Sequence, residues 1–591
     1  MKTSKATAAL ALVTAFALGV SACGGKGGGS HATSNGKGGT GATAGQNAAL
    51  TSIVNQSSKK GGTVTMEDSD TPDSLDPGNT YYGWVQDFSR LYSRPLLTFK
   101  PAAGSDGLTV VPDLATGLGK PSADAKTWTY TLRSGVKFQD GTPVTSKDVK
   151  YAVERSNFAP EALSNGPTYF KAYLADDAKY PGPYKDKDPN GLASIETPND
   201  STIVFHLSKP FADFDYLATF AQTAPVQQSK DTGASYVNHI QSTGPYMFQS
   251  YQDGQGATLV RNPQWSAAND PIRKALPDKI TLKFKVNPTT VDDDLLADDS
   301  TVDAAGTGVQ PQTQPKLLTQ PQYKANSDDP YAGATQYLAI DSKVAPFDNI
   351  HCRNAVEYGI DKASVQQAFG GPSHGDVAST LLPPTVNGYS KFDLYPSAGD
   401  KGDVAKAKSE LAACGKPGGF SMNITARSDR PTEVAMATAI QQSLKAVGIN
   451  LTIKQYPAGK YFSNFVGVPD YVHSHQLGLM LMAWGSDWPT GYGFLDQIVD
   501  GSAIKPSGGN NLMELNDPKI NEALSAAIAN TDAAARTKAW GDIDKMVNQT
   551  ATVVPLIYRK NLLYRPPSAT NVTVTQAYLG IYDYTLLGSS K

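Results

Sequence analysis

Between Phe420 and Tyr558 the chain alternates strand-like and helix-like periods, and this alternation restricts the fold more than any other feature of the sequence. Phe420 to Ala426 reads as a strand. Val434, Ala437, Ile440, Leu444 and Val447 then recur at helical spacing and stop at Gly448. Leu451, Ile453 and Gln455 begin the next strand. Leu479-Met480-Leu481-Met482 is an apolar run of the kind a buried strand carries, broken at Gly485 and stopped by Pro489. Two helices, about Lys519–Ala529 and Asp532–Asn548, lead to a last strand at Val553–Tyr558. Such a pattern predicts an α/β sheet covered by helices. Ligands bind these sheets just beyond the ends of strands. The apolar run ends by presenting Asp487 between Trp484 and Trp488. An acid flanked by aromatic faces can receive an ammonium group through charge and cation–π attraction. An N-cap aspartate between two core tryptophans would give the same residues.

The chain has 591 residues, beyond the roughly 250–300 that one core serves, so at least two lobes are expected. A net charge of −3 leaves no excess of Lys and Arg to neutralise phosphates, which argues against a nucleic-acid partner. Lys2 and Lys5 precede an apolar stretch, Ala8 to Val20, too short to span a bilayer as a mature helix. It ends Val20-Ser21-Ala22-Cys23-Gly24, which resembles a bacterial lipobox. Residues 1–22 are therefore expected to be a lipoprotein signal peptide, with Cys23 lipidated. Gly24 to Gln46 contains ten glycines, and residues 23–60 are expected to form a flexible tether. Its formal G-x-G-x-x-G, Gly36 to Gly41, has no strand before it and no helix after it, so no dinucleotide site is expected. Outside the cell the remaining pair, Cys352 and Cys414, points to a disulfide, with two buried free thiols as the alternative.

The stretch Trp128 to Arg155 carries the most specific pattern. Trp128, Tyr130 and Leu132 alternate as one strand face, Asp140-Gly141 is a turn pair, and Thr145 with Asp148 has capping-box spacing. Physically this is scaffold. It closely resembles the signature of the family-5 bacterial solute-binding proteins, the lipoprotein components of peptide and nickel ABC importers. The resemblance extends over Ser74-Leu75-Asp76-Pro77, Pro112-Asp113-Leu114-Ala115, Ser242-Thr243-Gly244-Pro245-Tyr246, Arg261-Asn262-Pro263, Pro346-Phe347-Asp348-Asn349, Arg353-Asn354-Ala355-Val356 and Asp361-Lys362.

That resemblance implies a two-lobed, periplasmic-binding-protein-like α/β fold of type II, with an extra subdomain in the first lobe and a cleft between the lobes. The first lobe is expected over 61–330, with the subdomain at about 94–232. The second follows over 331–557, and 558–591 returns to complete the first. In peptide-binding relatives the Asp of a Trp-x-x-Asp motif receives the ligand ammonium. Here the motif is Trp484-Gly485-Ser486-Asp487, which assigns that role to Asp487. Trp484, Gly485 and Trp488 are expected to line the same pocket, with Tyr558 and Tyr81 or Tyr82 as candidates for the opposite walls. Relatives often continue the motif with a second acid, where this chain has Thr490, and place a basic residue near the start of the helix around Val434. The nearest here are Arg427 and Arg430, slightly early. A longer peptide therefore fits as well as a dipeptide.

The implied partners are a short peptide and the permease and ATPase subunits of an importer, with the membrane reached through the lipid. The protein is expected to be monomeric, on the outer face of a Gram-positive membrane, with no cofactor and no catalytic residue. An oligosaccharide or nickel chelate, or peptide sensing without transport, are the alternatives. Gly371-Pro372-Ser373-His374-Gly375 matches a nucleophile elbow in letters only, because the helix comes before it rather than after. Asp186-Lys187-Asp188-Pro189-Asn190-Gly191 begins like a calcium loop but lacks Glu at position 12, so at most a weak calcium site is expected. His473-Ser474-His475 has no third ligand nearby in sequence and is expected in an exposed loop, with no metal. Asp292-Asp293-Asp294 is expected to be a solvated turn.

Overall fold

The computed structural model describes residues 45–175 and 179–591. The signal segment and Cys23 lie outside the described residues. The tether was expected to run to residue 60, but 47–57 is anchored to the body at several points. Ala49 and Val54 are buried, Val54 bridges to Val572, and Asn571 donates to the Ser57 carbonyl at 3.0 Å. Two apolar anchors and asparagine side chains end the glycine-rich behaviour. Among the described residues no helix is long and apolar enough to cross a membrane.

The first lobe is built on a five-stranded sheet in the order Val302–Asp303, Thr63–Glu67, Lys279–Lys283, Gly256–Arg261, Tyr246–Gln252. Thr63–Glu67 is parallel to both of its neighbours, and the remaining pairs are antiparallel. Alternation puts Val64 and Met66 inward. The following helix is Gly83–Ser89. The subdomain holds a four-stranded antiparallel sheet, Lys120–Pro121, Thr127–Thr131, Thr202–His206, Ile195–Asn199, with Trp128 and Tyr130 buried on one face. The capping box opens the helix Ser146–Phe158, with Thr145 N–H donating to Asp148 at 2.8 Å. Late in that helix Arg155 grips Asp76 with two bonds, 3.0 and 2.9 Å, both side chains buried. The Ser74–Pro77 motif is thus bolted to the subdomain.

The second lobe is a six-stranded sheet in the order Gly375–Val377, Val553–Lys560, Tyr331–Ile340, Leu479–Gly485, Phe420–Arg427, Ile449–Tyr456. Phe420–Arg427 runs parallel to Ile449–Tyr456 and Leu479–Gly485. The crossover helix, Pro431–Val447, stops at Gly448 in the left-handed region. Val553–Lys560 lies wholly inside this sheet, so the segment expected to return to the first lobe from 558 leaves the second only after Lys560. The connection is instead the short ribbon pairing Ser327 with Tyr564 and Asp328 with Leu563. Beyond it, Ala569, Val572, Tyr582 and Leu587 share the apolar cluster of Val64 and Met66, which returns the chain to the first lobe.

The subdomain and the second lobe touch through polar and aromatic contacts. Ala212 N–H donates to the Ile528 carbonyl at 2.8 Å, and the Tyr173 and Tyr492 hydroxyls meet at 3.1 Å. Asp213 pairs with Arg536 at 2.9 Å. Asp292, expected in a solvated turn, sits buried in the helix Pro288–Ala297 and accepts the Gln310 N–H at 2.9 Å. At 186–191 the carboxylates of Asp186 and Asp188 accept from backbone N–H groups two residues on, at 3.0 and 2.8 Å.

Cys352 and Cys414 form a disulfide, Cα–Cα 5.2 Å, between the helices Ile350–Gly359 and Val404–Ala413. It closes a loop with a sequence separation of 62. The doubly substituted Cys352→Ala/Cys414→Ala protein should unfold at lower temperature in calorimetry, by the equivalent of about 2–4 kcal/mol. An unchanged transition would mean the helix pair needs no cross-link.

Candidate functional site

The strand Leu479–Gly485 lies between Tyr331–Ile340 and Phe420–Arg427, with Trp484 opposite Thr335 and Gly485 opposite Ala334. Its apolar half is fully buried, and exposure begins at Ala483. The helix that follows, Gly491–Val499, is capped by Thr490, whose hydroxyl accepts the Gly493 N–H at 3.2 Å. Asp487 is therefore not the N-cap. Its backbone N–H donates to the Gly493 carbonyl at 3.0 Å, and its side chain is left to face across the molecule.

Two phenols meet that carboxylate from other parts of the chain. Tyr81, just after the first strand, donates to Oδ1, and Tyr169, the first residue of the subdomain helix Tyr169–Tyr173, donates to Oδ2. The two hydroxyls stand 3.4 Å apart. Tyr81 is held by Asp73, which accepts its backbone N–H at 2.6 Å and the Thr80 hydroxyl at 2.7 Å. The Tyr169 ring stands edge-on against Trp488, 5.1 Å between centroids at 89°. Burial pushes the Asp487 carboxyl up to about 6, against the phenol hydrogen bonds that pull it down and with Asp496 adding a small upward push. Burial and the Asp487 charge raise both tyrosines.

A cavity of about 310 Å³ opens beside this carboxylate. Its walls include Phe99, Phe220, Tyr578 and Leu579 of the first lobe and Trp484 to Pro489 of the second. The Trp484 indole is fixed by its N–H on the Phe494 carbonyl at 2.8 Å. A Cβ added at Gly485 would meet nothing nearer than 3.7 Å, so packing does not demand the glycine, and its bareness leaves the wall open. The site is concave, largely apolar, and has one acid among aromatic rings, the usual make-up of a small-ligand pocket.

Of the residues expected from sequence, Trp484, Gly485, Asp487, Trp488 and Tyr81 line the cavity. Tyr82 and Tyr558 do not. Tyr82 begins the helix Gly83–Ser89 and is 46% exposed. Tyr558 is buried, and its hydroxyl is taken up by Thr380, at 2.6 Å from the side chain and 3.0 Å from the N–H. It braces the sheet rather than walling the pocket. Tyr169 was missed, and only its Tyr-Phe-x-x-Tyr surroundings marked it as aromatic. Arg559, next to Tyr558 on the same strand, was also missed. Its Nε is buried without a partner, and among the described residues its side chain forms no hydrogen bond or salt bridge. Burial, then Arg430 and Arg427, lower its pKa. These arginines lie at the sheet edge where the strand carrying Trp484 ends.

With this geometry in view, residues 109–506 match the family model described as bacterial extracellular solute-binding proteins, family 5, middle. The chain belongs to that family: it is a substrate-binding protein of the peptide ABC importer type, extracellular or periplasmic, and the family is one of binding proteins. Among solved structures it resembles clavulanic acid biosynthesis oligopeptide binding protein 2, at 40% identity and TM-score 0.89, covering 93% of this chain and all of that one. It is 26% identical to a probable D,D-dipeptide-binding periplasmic protein of Escherichia coli (strain K12), over 83% of this chain and 87% of the relative. It is 23% identical to an oligopeptide-binding protein of Bacillus subtilis (strain 168), over 74% of this chain and 77% of the relative. The two-lobed α/β architecture expected from the sequence is the one these structures share.

The Asp487 carboxyl should titrate near pH 6 in isotope-edited infrared spectra, with Asp487→Asn identifying its band. Tyr169→Phe removes a donor to the ionised form and should move the midpoint upward. A midpoint near 4 in the native protein would mean that the carboxylate is solvated.

Proposed function

We propose that this protein is a lipid-anchored receptor, tethered through Cys23, that captures short peptides with a free N-terminus and delivers them to an ABC permease. The observation that carries the reading is the Asp487 carboxylate, set in an aromatic cavity and met by phenols from the opposite wall. Two phenols use two of the roughly four lone-pair positions of a carboxylate, so an ammonium can take another. The apolar walls accept the first ligand side chain. At about 310 Å³ the cavity is near the lower end of ligand pockets, roughly 300–1,000 Å³, and suits one or two residues. The remainder of a peptide would run along the sheet edge toward Arg559 and Arg430, which with Arg427 set three arginines around the one acid Glu433, an excess of positive charge that suits a terminal carboxylate. The names of the dipeptide- and oligopeptide-binding relatives favour the same ligand class.

Closure follows from differential contact. A ligand touching both Asp487 and the first-lobe wall binds the closed arrangement better than the open one and shifts the population toward it. The lipid would keep the receptor beside its permease, on the outer face of a Gram-positive membrane.

Mass spectrometry of small molecules released by denaturing the purified protein should find a short peptide; a glycan or metal chelate would replace this reading with another. In titration calorimetry Asp487→Ala should weaken that peptide by about 2–4 kcal/mol, the scale for removing one partner of a buried charge pair. A loss below about tenfold, which is 1.4 kcal/mol, would sink the assignment. The ionised carboxylate is the form that attracts an ammonium. Peptide affinity should therefore hold at pH 7 and fall toward pH 5, by about tenfold where the ligand-free receptor rests closed with Asp487 titrating through about 6, and by less to the extent that it rests open. Arg559→Met should weaken peptides with a free C-terminus and spare their amidated forms.

A further inference from the structure

A second polar constellation lies at the other edge of the same sheet. Asp341 follows the strand Tyr331–Ile340, whose Ile340 pairs with Leu479 at the start of the strand that ends in Trp484 and Gly485. That strand has seven residues, so at about 3.3 Å per residue its two ends are roughly 20 Å apart. The cluster is separate from the ligand cavity.

Three side chains converge there from distant parts of the chain. His473, on the helix Pro469–Ser474, places Nε2 2.6 Å from Glu514 Oε1 and 3.6 Å from Asp341 Oδ2. All three ligand atoms lie within 4.8 Å of one another. The Asp341 side chain is completely buried, and its Oδ2 has no hydrogen-bond partner. Its other oxygen is used by the Lys343 N–H at 2.8 Å, which fixes the carboxylate with Oδ2 turned toward the histidine. One imidazole nitrogen cannot satisfy two carboxylates, so a buried acceptor is left over. Glu514 is delivered by a strained loop. Its φ is +45°, in the left-handed region, and the turn is tied by Asn511, which accepts the Leu515 N–H at 3.0 Å and donates to the Leu515 carbonyl at 2.8 Å. A cavity of about 10 Å³ adjoins Asp341 and Glu514, which is room for a single water or ion. Lys505, also on its wall, is exposed and forms no ion pair among the described residues.

We infer that Asp341, His473 and Glu514 form a binding site for one divalent first-row metal ion, with zinc the best-suited probe. Two carboxylate oxygens and one imidazole nitrogen are the ligand types that zinc takes at about 2.0–2.2 Å, with water completing four-coordination. The ion would supply the partner that Asp341 Oδ2 lacks and offset two acids facing one histidine. It would also cross-link three segments of the second lobe: the end of a central strand, the helix Pro469–Ser474 and the loop bearing Glu514. His475, two residues from His473, is not part of it; its ring stacks on Tyr471 at 3.8 Å.

The test is calorimetric titration of zinc chloride into the purified protein after removal of metals by chelator. One equivalent should bind saturably in the micromolar range or tighter. Asp341→Asn, which keeps the shape of the side chain, and His473→Ala should each weaken it by roughly a hundredfold or more, beyond the 10–100-fold typical of losing an outer partner. His475→Ala should bind as the native protein does. Near-ultraviolet circular dichroism identifies any variant that has lost its fold, and X-ray absorption of the zinc-loaded native protein, which depends on no variant, should show a shell of one imidazole with oxygen ligands. Absence of saturable binding, equal binding by Asp341→Asn, or a shell of several imidazoles or sulfur would each overturn the site.

Discussion

The cavity beside Asp487 depends on one buried carboxylate that does not line it. Asp213, in the subdomain, pairs with Arg536 of the second lobe through Oδ1 and accepts from Thr490 at 2.7 Å and from the Trp488 indole at 3.3 Å through Oδ2. Trp488 and Thr490 follow closely after Asp487 in the turn that presents it. The same contact that joins subdomain to lobe therefore sets the direction in which Asp487 points. A buried ion pair adds little net stability, because desolvation offsets much of the attraction, but it strongly disfavours any arrangement that leaves one partner bare. It acts here on registration between parts, and the ring contacts of Trp488 with Phe211 and Tyr169 reinforce it.

Much of the architecture was legible because its signals are local. The helix Pro431–Val447 repeats apolar residues at its own period and ends on a glycine that the left-handed region favours. Leu479 to Met482 could only be a core strand once Gly485 and Pro489 had closed it. Motifs that looked separate in the sequence turn out to be halves of one interaction: Asp76 of Ser-Leu-Asp-Pro and Arg155 of the longer signature form a single buried pair.

What escaped the sequence is what distance in the chain conceals. Tyr169 and Asp487 are 318 residues apart, and nothing in either neighbourhood names the other. Tyr558 and Tyr82 were plausible as walls because aromatic residues beside strand ends often line clefts. Burial against Thr380 claimed one and solvent the other. His473 was judged by its neighbours in sequence, whereas the acids facing it come from positions 341 and 514. The lower end of the tether was misplaced because composition reports flexibility but not the asparagine and apolar contacts that end it.

The phenols that clamp Asp487 carry a further consequence. They come from segments outside the second lobe, and with them comes part of the cover over the carboxyl, whose burial raises its pKa. Parting the lobes would return the carboxyl to water and to an ordinary acid's range. Closure without ligand is then accompanied by uptake of a fraction of a proton between those two values, and closure around an ammonium is not. On the proposed reading, the empty receptor and the loaded one would shut on different cations. If Asp487 holds the ligand ammonium as proposed, in an acidic medium the proton becomes a rival for that seat, and the receptor would sense the acidity of its surroundings through the same residue.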